Sequence, residues 1–199
     1  PLFAWRLPRT AEAVHTSGPK ISMPEPISIW SFAAGFALDG IFVFGLSLVA
    51  MHNVPQGAVL AAGAAMALRY LSEVVLSPAG GSLAQRFGAR PLLIVLSLAA
   101  ALSLAFLGAS GIVLWLAVLV TVIMRALVQP LPIPVVAEAF PGPHRIPALA
   151  RQATWRDIGA GTGPLAAGFL FPLLPGTIVF MGAGVLLAAS SLLLLRKSR

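Results

Sequence analysis

Residues 91–131 read PLLIVLSLAAALSLAFLGASGIVLWLAVLVTVIMRALVQPL, and Arg125 is the only charged side chain among them. The Gly108-Ala109-Ser110-Gly111 cluster divides the stretch into two apolar runs, 91–108 and 111–131. Each run has the length of about 18–25 residues that crosses a hydrocarbon core at a rise of about 1.5 Å per residue. Pro91 opens the first run, where a helix has no use for the missing N–H. Neither run shows the two-residue alternation of a membrane barrel strand.

Further apolar runs lie outward on both sides, at 27–51 and 57–77 before this pair and at 156–173 and 176–195 after it. The breaks between them are His52-Asn53-Val54-Pro55, Ser77-Pro78, the proline-rich segment from Pro130 to Pro147, and Leu174-Pro175-Gly176. The pattern predicts an all-α membrane protein, with six transmembrane helices forming one bundle over 27–195. A linker or tail over 1–26 precedes the bundle, and a short tail over 196–199 follows it. Pro8, Pro19, Pro24 and Pro26 argue against a continuous helix in the first segment. Arg6, Arg9 and Glu12 interrupt any signal-like apolar run there.

Composition supports the same solvent. The chain of 199 residues is 58% hydrophobic and 10% charged, against about 25% charged in a typical soluble domain. Too few polar side chains exist to cover a water-facing surface, which disfavours the competing reading of a soluble helical protein. The formal net charge is +7. In a soluble chain that excess would suggest nucleic acid. Here cations flank apolar spans and meet anionic membrane lipid, so no nucleic-acid partner is expected. Cysteine is absent, which removes disulfides, thiolates and Cys-based metal sites. His15, His52 and His144 lack metal-ligand spacing, and neither a metal nor a cofactor is expected. Abundant Ala, Gly and Arg with scarce Lys points to a GC-rich bacterial genome, and hence to a bacterial inner membrane.

Orientation follows from Lys and Arg. With the N-terminal segment inside, Arg6, Arg9, Lys20, Arg86, Arg90, Arg145, Arg151, Arg156, Arg196, Lys197 and Arg199 all fall inside, which is eleven of the 13 basic residues. The outer turns hold none, and Arg69 and Arg125 lie within spans. Both ends are therefore expected in the cytoplasm.

Charges inside spans are the candidate functional residues, because each costs about 2.5–3.5 kcal/mol at a helix centre on the insertion scale. Asp39 lies near the middle of the first run. It reads as a proton-coupling or substrate-binding carboxylate, or as a packing residue that must find a partner. Arg69 and Glu73, four apart, are expected to form a structural ion pair. Arg125 reads either as part of a gating network or as a snorkelling side chain. Glu138, Arg151, Arg156 and Asp157 are expected to form salt bridges in the connection between the fourth and fifth runs. Gly159, Gly161 and Gly163 smooth the fifth run for close helix packing.

Three motifs carry a family resemblance. The stretch Gly81-Ser82-Leu83-Ala84-Gln85-Arg86-Phe87-Gly88-Ala89-Arg90 resembles the signature loop of the major facilitator superfamily, in the place between second and third helices where that family carries it. Gln85 stands where the family usually has Asp, the residue held to latch the cytoplasmic side. The residues Gly81, Gln85, Arg86, Gly88 and Arg90 are the motif positions. Gly159 to Gly168, with Gly163-Pro164 at its centre, is similar to the family's glycine–proline signature, where Pro164 would let the helix bend. Ala167 replaces one of its glycines. Arg125 is similar to the family's fourth-helix arginine, although the following Gln129-Pro130 matches that pattern poorly. The resemblance spans about 27–195.

It implies a six-helix half of a twelve-helix fold, with the other half of the same chain as a missing partner. Gln85, the opening Leu7-Pro8-Arg9-Thr10 and the basic tail favour the C-terminal half. The glycine–proline motif is more typical of the first. The function implied is secondary active transport of a small-molecule substrate by alternating access, coupled to protons through Asp39 and Arg125. The alternative is a self-contained six-helix scaffold or membrane-embedded enzyme. No GKS/GKT phosphate loop, HExxH or Ser/His/Asp grouping suggests catalysis.

Overall fold

The structure, a computed structural model, describes residues 25–53 and 58–196. The expected linker up to residue 24 and the tail from 197 lie outside them. Every element among the described residues is helical. Helix α1 (Pro26–Ala34) starts with proline at its first position, passes through a π-helical segment (Gly35–Ile41) and continues as α2 (Phe42–Asn53). Next come α3 (Ala58–Phe87), α4 (Ala89–Ala105), α5 (Ile112–Val128), α6 (Pro132–Ala139), α7 (Arg145–Leu170) and α8 (Gly176–Arg196).

Three boundaries differ from the sequence reading. The expected stop at Ser77-Pro78 is absent, because α3 runs through Pro78 to Phe87. Proline removes one helical hydrogen bond, and a membrane helix tolerates that loss where local adjustment and neighbouring side chains compensate. The expected loop over 81–90 therefore shrinks to Gly88, whose φ of 86° turns the chain directly from α3 into α4. Between the fourth and fifth runs, Pro132 opens the short helix α6 instead of breaking one, and α7 begins at Arg145, far ahead of the expected 156. Proline misleads in each case: Pro78 lies within a continuous helix, and Pro132 and Pro147 stand in the first turn of one.

Packing follows residue size. The π-helical segment lies along α7 as a parallel neighbour. A Cβ on Gly35 would meet the carbonyl of Arg156, one on Gly40 the backbone of Gly163, and one on Gly159 the carbonyl of Phe32. Only glycine lets these two backbones approach so closely. Helix α8 runs antiparallel to α4, with Thr177 bonded to the Gly108 carbonyl at 3.2 Å at one end and Arg90 bonded to the Leu194 carbonyl at the other. Trp30, Ile41, Phe42, Leu93, Leu104, Val122, Val136, Phe180 and Leu187 form the buried centre.

The polar side chains of the helices mostly look after themselves. Ser31, Ser72, Thr121 and Ser191 each donate to the carbonyl four residues earlier, at 2.7–2.8 Å. Between helices, Trp30 Nε1 donates to Ser97 at 3.1 Å and Gln152 Nε2 to Ser31 at 3.1 Å.

Four helical stretches are long and apolar enough to cross a membrane: Pro26–Leu48, Ala89–Gly108, Ile112–Ala139 and Gly176–Leu195. Helices α3 and α7 have the length but are not among the four. They carry Arg69, Glu73 and Arg86, and Arg145, Arg151, Arg156 and Asp157, respectively. Leu60, Leu71, Val74, Ile112, Leu116, Leu165, Phe169 and Val185 all point outward. Such a surface is costly in water and ordinary in hydrocarbon.

Candidate functional site: a buried charge cluster

Asp39 sits in the π-helical segment, at a point where a wide helical turn is flanked by Gly35, Ala37 and Gly40. Widened turns of this kind recur at functional sites. Its carboxylate is shared by arginines from three other helices. Arg125 of α5 donates from Nε to Oδ1 at 2.8 Å and also from Nη2. Arg69 of α3 reaches Oδ1 from Nη2 at 3.3 Å. Arg156 of α7 donates to Oδ2 from Nε at 3.1 Å and from Nη2 at 2.9 Å.

Glu73 completes the group. It pairs with Nη1 of Arg125 and stands 3.8 Å from Nε of its own-helix neighbour Arg69. Gln129 Oε1 accepts from Arg156 Nη2 at 2.8 Å. The arginine at the centre, Arg125, is 4% exposed, Asp39 13% and Arg156 28%, so the group opens outward on the α7 side. A cavity of about 20 Å³ touches Asp39, Arg125, Arg156, Gln129 and Trp30. That is room for about one water-sized group.

The structure thus brings Asp39, Arg69, Glu73 and Arg125 together, and adds two residues that the sequence reading placed elsewhere. Arg156 was expected in a loop salt bridge. Because α7 starts eleven residues early, it stands mid-helix and binds Asp39 instead. A usable signal existed: Arg156, Gly159 and Gly163 recur at the three-to-four-residue spacing of one helix face. Gln129 was noted only as a poor motif match. Arg151 does form a peripheral salt bridge, with Glu25 at 3.0 Å.

The signature-loop residues lie apart from this cluster. Gln85 and Arg86 are exposed, with Arg86 over the Phe87 ring at 5.4 Å. Gly81 has no neighbour within 4 Å of a Cβ position, and Gly88 makes the turn. Arg90 donates to the carbonyl of Leu194 in the last turn of α8, where the helix dipole is negative. Replacing Arg90 by Gln is expected to lower the thermal stability of the purified protein modestly, by about 0.3–1 kcal/mol, as read from a melting curve in detergent. In the glycine–proline motif, Gly159 and Gly163 press on the first helix, Pro164 lies within continuous α7, and Gly168 faces open space. Among the described residues, no group of three or more His, Asp or Glu side chains could hold a metal ion.

Four helices long and apolar enough to cross a membrane, packed around a buried network of arginines and carboxylates, mark a multi-pass membrane protein. The family model of the Major Facilitator Superfamily matches residues 27–199, and the chain belongs to that family. Its members are transporters that act on small-molecule substrates in the membrane. No curated protein matches the sequence.

Proposed function

We propose that the chain is the C-terminal six-helix half of a secondary active transporter, which moves a small solute across a bacterial inner membrane by alternating access coupled to protons. In this reading α3 and α7 also span, giving six crossings with both ends in the cytoplasm, and the other half of the same chain covers the apolar and small-residue faces. Family membership and the distribution of Lys and Arg support this arrangement.

The observation that carries the reading is the sharing of one carboxylate by three helices besides its own. A helix bundle that alternates between two states needs a contact whose making and breaking differ between them. Asp39 offers one that a proton can control. Protonation would cancel the charge that holds three guanidiniums, so the proton and the pairing exclude one another. The test is the complete protein in proteoliposomes with an imposed pH gradient and a panel of organic acids, sugars, peptides and drugs. Solute-dependent proton movement, followed with a lumenal pH dye, is the expected result. Solute flux indifferent to the gradient would remove proton coupling, and no flux for any solute would remove the reading.

Topology has its own check. Single cysteines at Ser17, Gln85 and Ser198 are expected to label only from the cytoplasm, and one at Asn53 only from outside. External labelling of Gln85→Cys in intact cells would overturn the orientation.

A further inference from the structure

The charge balance of the cluster is uneven. Arg69, Arg125 and Arg156 face only Asp39 and Glu73 within ion-pair distance, which leaves one positive charge in excess. No other element supplies the missing anion among the described residues. Within 42–53 and 176–195 there is no charged side chain, the only cation of α4 past its first residue is Arg90, bonded to Leu194, Glu25 pairs with Arg151, and Glu138 and Asp157 are exposed and form no ion pair. An unbalanced buried charge is costly in hydrocarbon surroundings, more so than a neutral pair.

Two further observations point the same way. Arg69 Nε is a buried donor whose ion-pair partner, Glu73 Oε1, stands beyond hydrogen-bond distance at 3.8 Å. The small cavity is lined by the Asp39 carboxylate as well as by the donors Arg125 and Arg156, with Gln129, Trp30 and apolar side chains around them. Its volume of about 20 Å³ leaves room for about one water-sized group.

We propose that the cluster around Asp39 binds a small monovalent anionic group, either a free inorganic anion or a carboxylate borne by the transported solute. The inference rests on the transporter reading only for the second of these sources. It has a consequence for coupling. Neutralising Asp39 raises the excess from one positive charge to two, so proton uptake strengthens the hold on the anion, and the two travel in the same direction.

The experiment measures binding directly, with the complete purified protein in detergent. Chloride and acetate are titrated by calorimetry at constant ionic strength, with gluconate and tetramethylammonium salts as the large-anion and cation controls. Chloride or acetate should bind and the controls should not. Acetate stronger than chloride assigns a solute carboxylate, and the reverse assigns a free inorganic anion. Asp39→Asn and Glu73→Gln should each tighten binding by about tenfold or more, and Arg69→Gln should weaken it by a similar factor, because each changes the local charge by one unit. A merely structural role for these carboxylates predicts the opposite sign for the first two. Melting curves identify any variant that fails to fold, and Glu73→Gln keeps the test open should Asp39→Asn be one of them. Absence of anion binding in the wild type, or weaker binding in both carboxylate variants when folded, overturns the proposal. Anion binding without flux of any solute would sink the transporter reading alone. Proton-coupled flux without anion binding would sink this inference alone.

Discussion

Asp39→Asn in the complete protein is expected to bring solute uptake driven by a pH gradient down to background while leaving insertion and helix content intact. The substitution keeps the size of the side chain and one of its acceptor oxygens, and removes the charge that Arg69, Arg125 and Arg156 share. Charge-assisted hydrogen bonds are roughly twice as strong as neutral ones, so all three contacts weaken together and the contact no longer answers to a proton. Exchange of solute across the membrane without net proton movement should survive, since it does not require Asp39 to titrate. Asp39→Glu should retain part of the uptake. The measurement is flux in proteoliposomes with and without the gradient, alongside circular dichroism. Wild-type uptake with unchanged pH dependence in the Asn variant would show that Asp39 serves packing alone.

The second large effect concerns the seam between the first helix and α7. Gly40→Ala and Gly159→Ala should each destabilise the protein by about 1–3 kcal/mol, the usual cost of forcing a methyl group into a packed core. At both positions the added carbon meets backbone of the opposing helix, which cannot rotate away as a flexible side chain can. Gly161→Ala and Gly168→Ala supply the control. Their added carbons meet nothing within 4 Å, and alanine is the better helix former by up to about 1 kcal/mol. These two should be neutral or slightly stabilising. Denaturation in mixed micelles reads all four, and equal effects across them would mean that the seam does not hold the fold. Separating the seam also pulls Arg156 from Asp39, so Gly159→Ala should lower transport beyond its effect on stability.

How much of this could be read beforehand depends on the range of the forces involved. Apolar runs such as 91–108 and 111–131 declare themselves because burial in hydrocarbon is a local property of composition. Helix ends were misread where proline stood near them. Pro78 lies inside α3, and Pro132 sits at a helix start. Proline signals a missing donor, and only the surroundings decide whether that donor was needed. Asp39, Arg69, Glu73 and Arg125 stood out singly, because charge in an apolar run is costly wherever it occurs. Their meeting could not be read, since the partners of Asp39 are 30, 86 and 117 residues away. Arg156 and Gln129 escaped for a different reason. Gln129 is uncharged and so cost its run little, and Arg156 stands at the very start of its run, where only its spacing to Gly159 and Gly163 places it on an inward helix face.

Those same separations set a timetable for synthesis. The chain emerges from the ribosome with Asp39 first, and its arginines follow in the order Arg69, Arg125, Arg156. The hydroxyls of Ser31, Ser72, Thr121 and Ser191 reach the lipid already bonded within their own helix. The carboxylate of Asp39 has no such helix-internal partner. Until the second helix arrives it carries the full insertion cost of about 2.5–3.5 kcal/mol, and Arg69 is the earliest residue able to lift it. The first two helices are therefore expected to leave the translocon as a pair, with Arg156 closing the cluster only when the fifth long helix has been made.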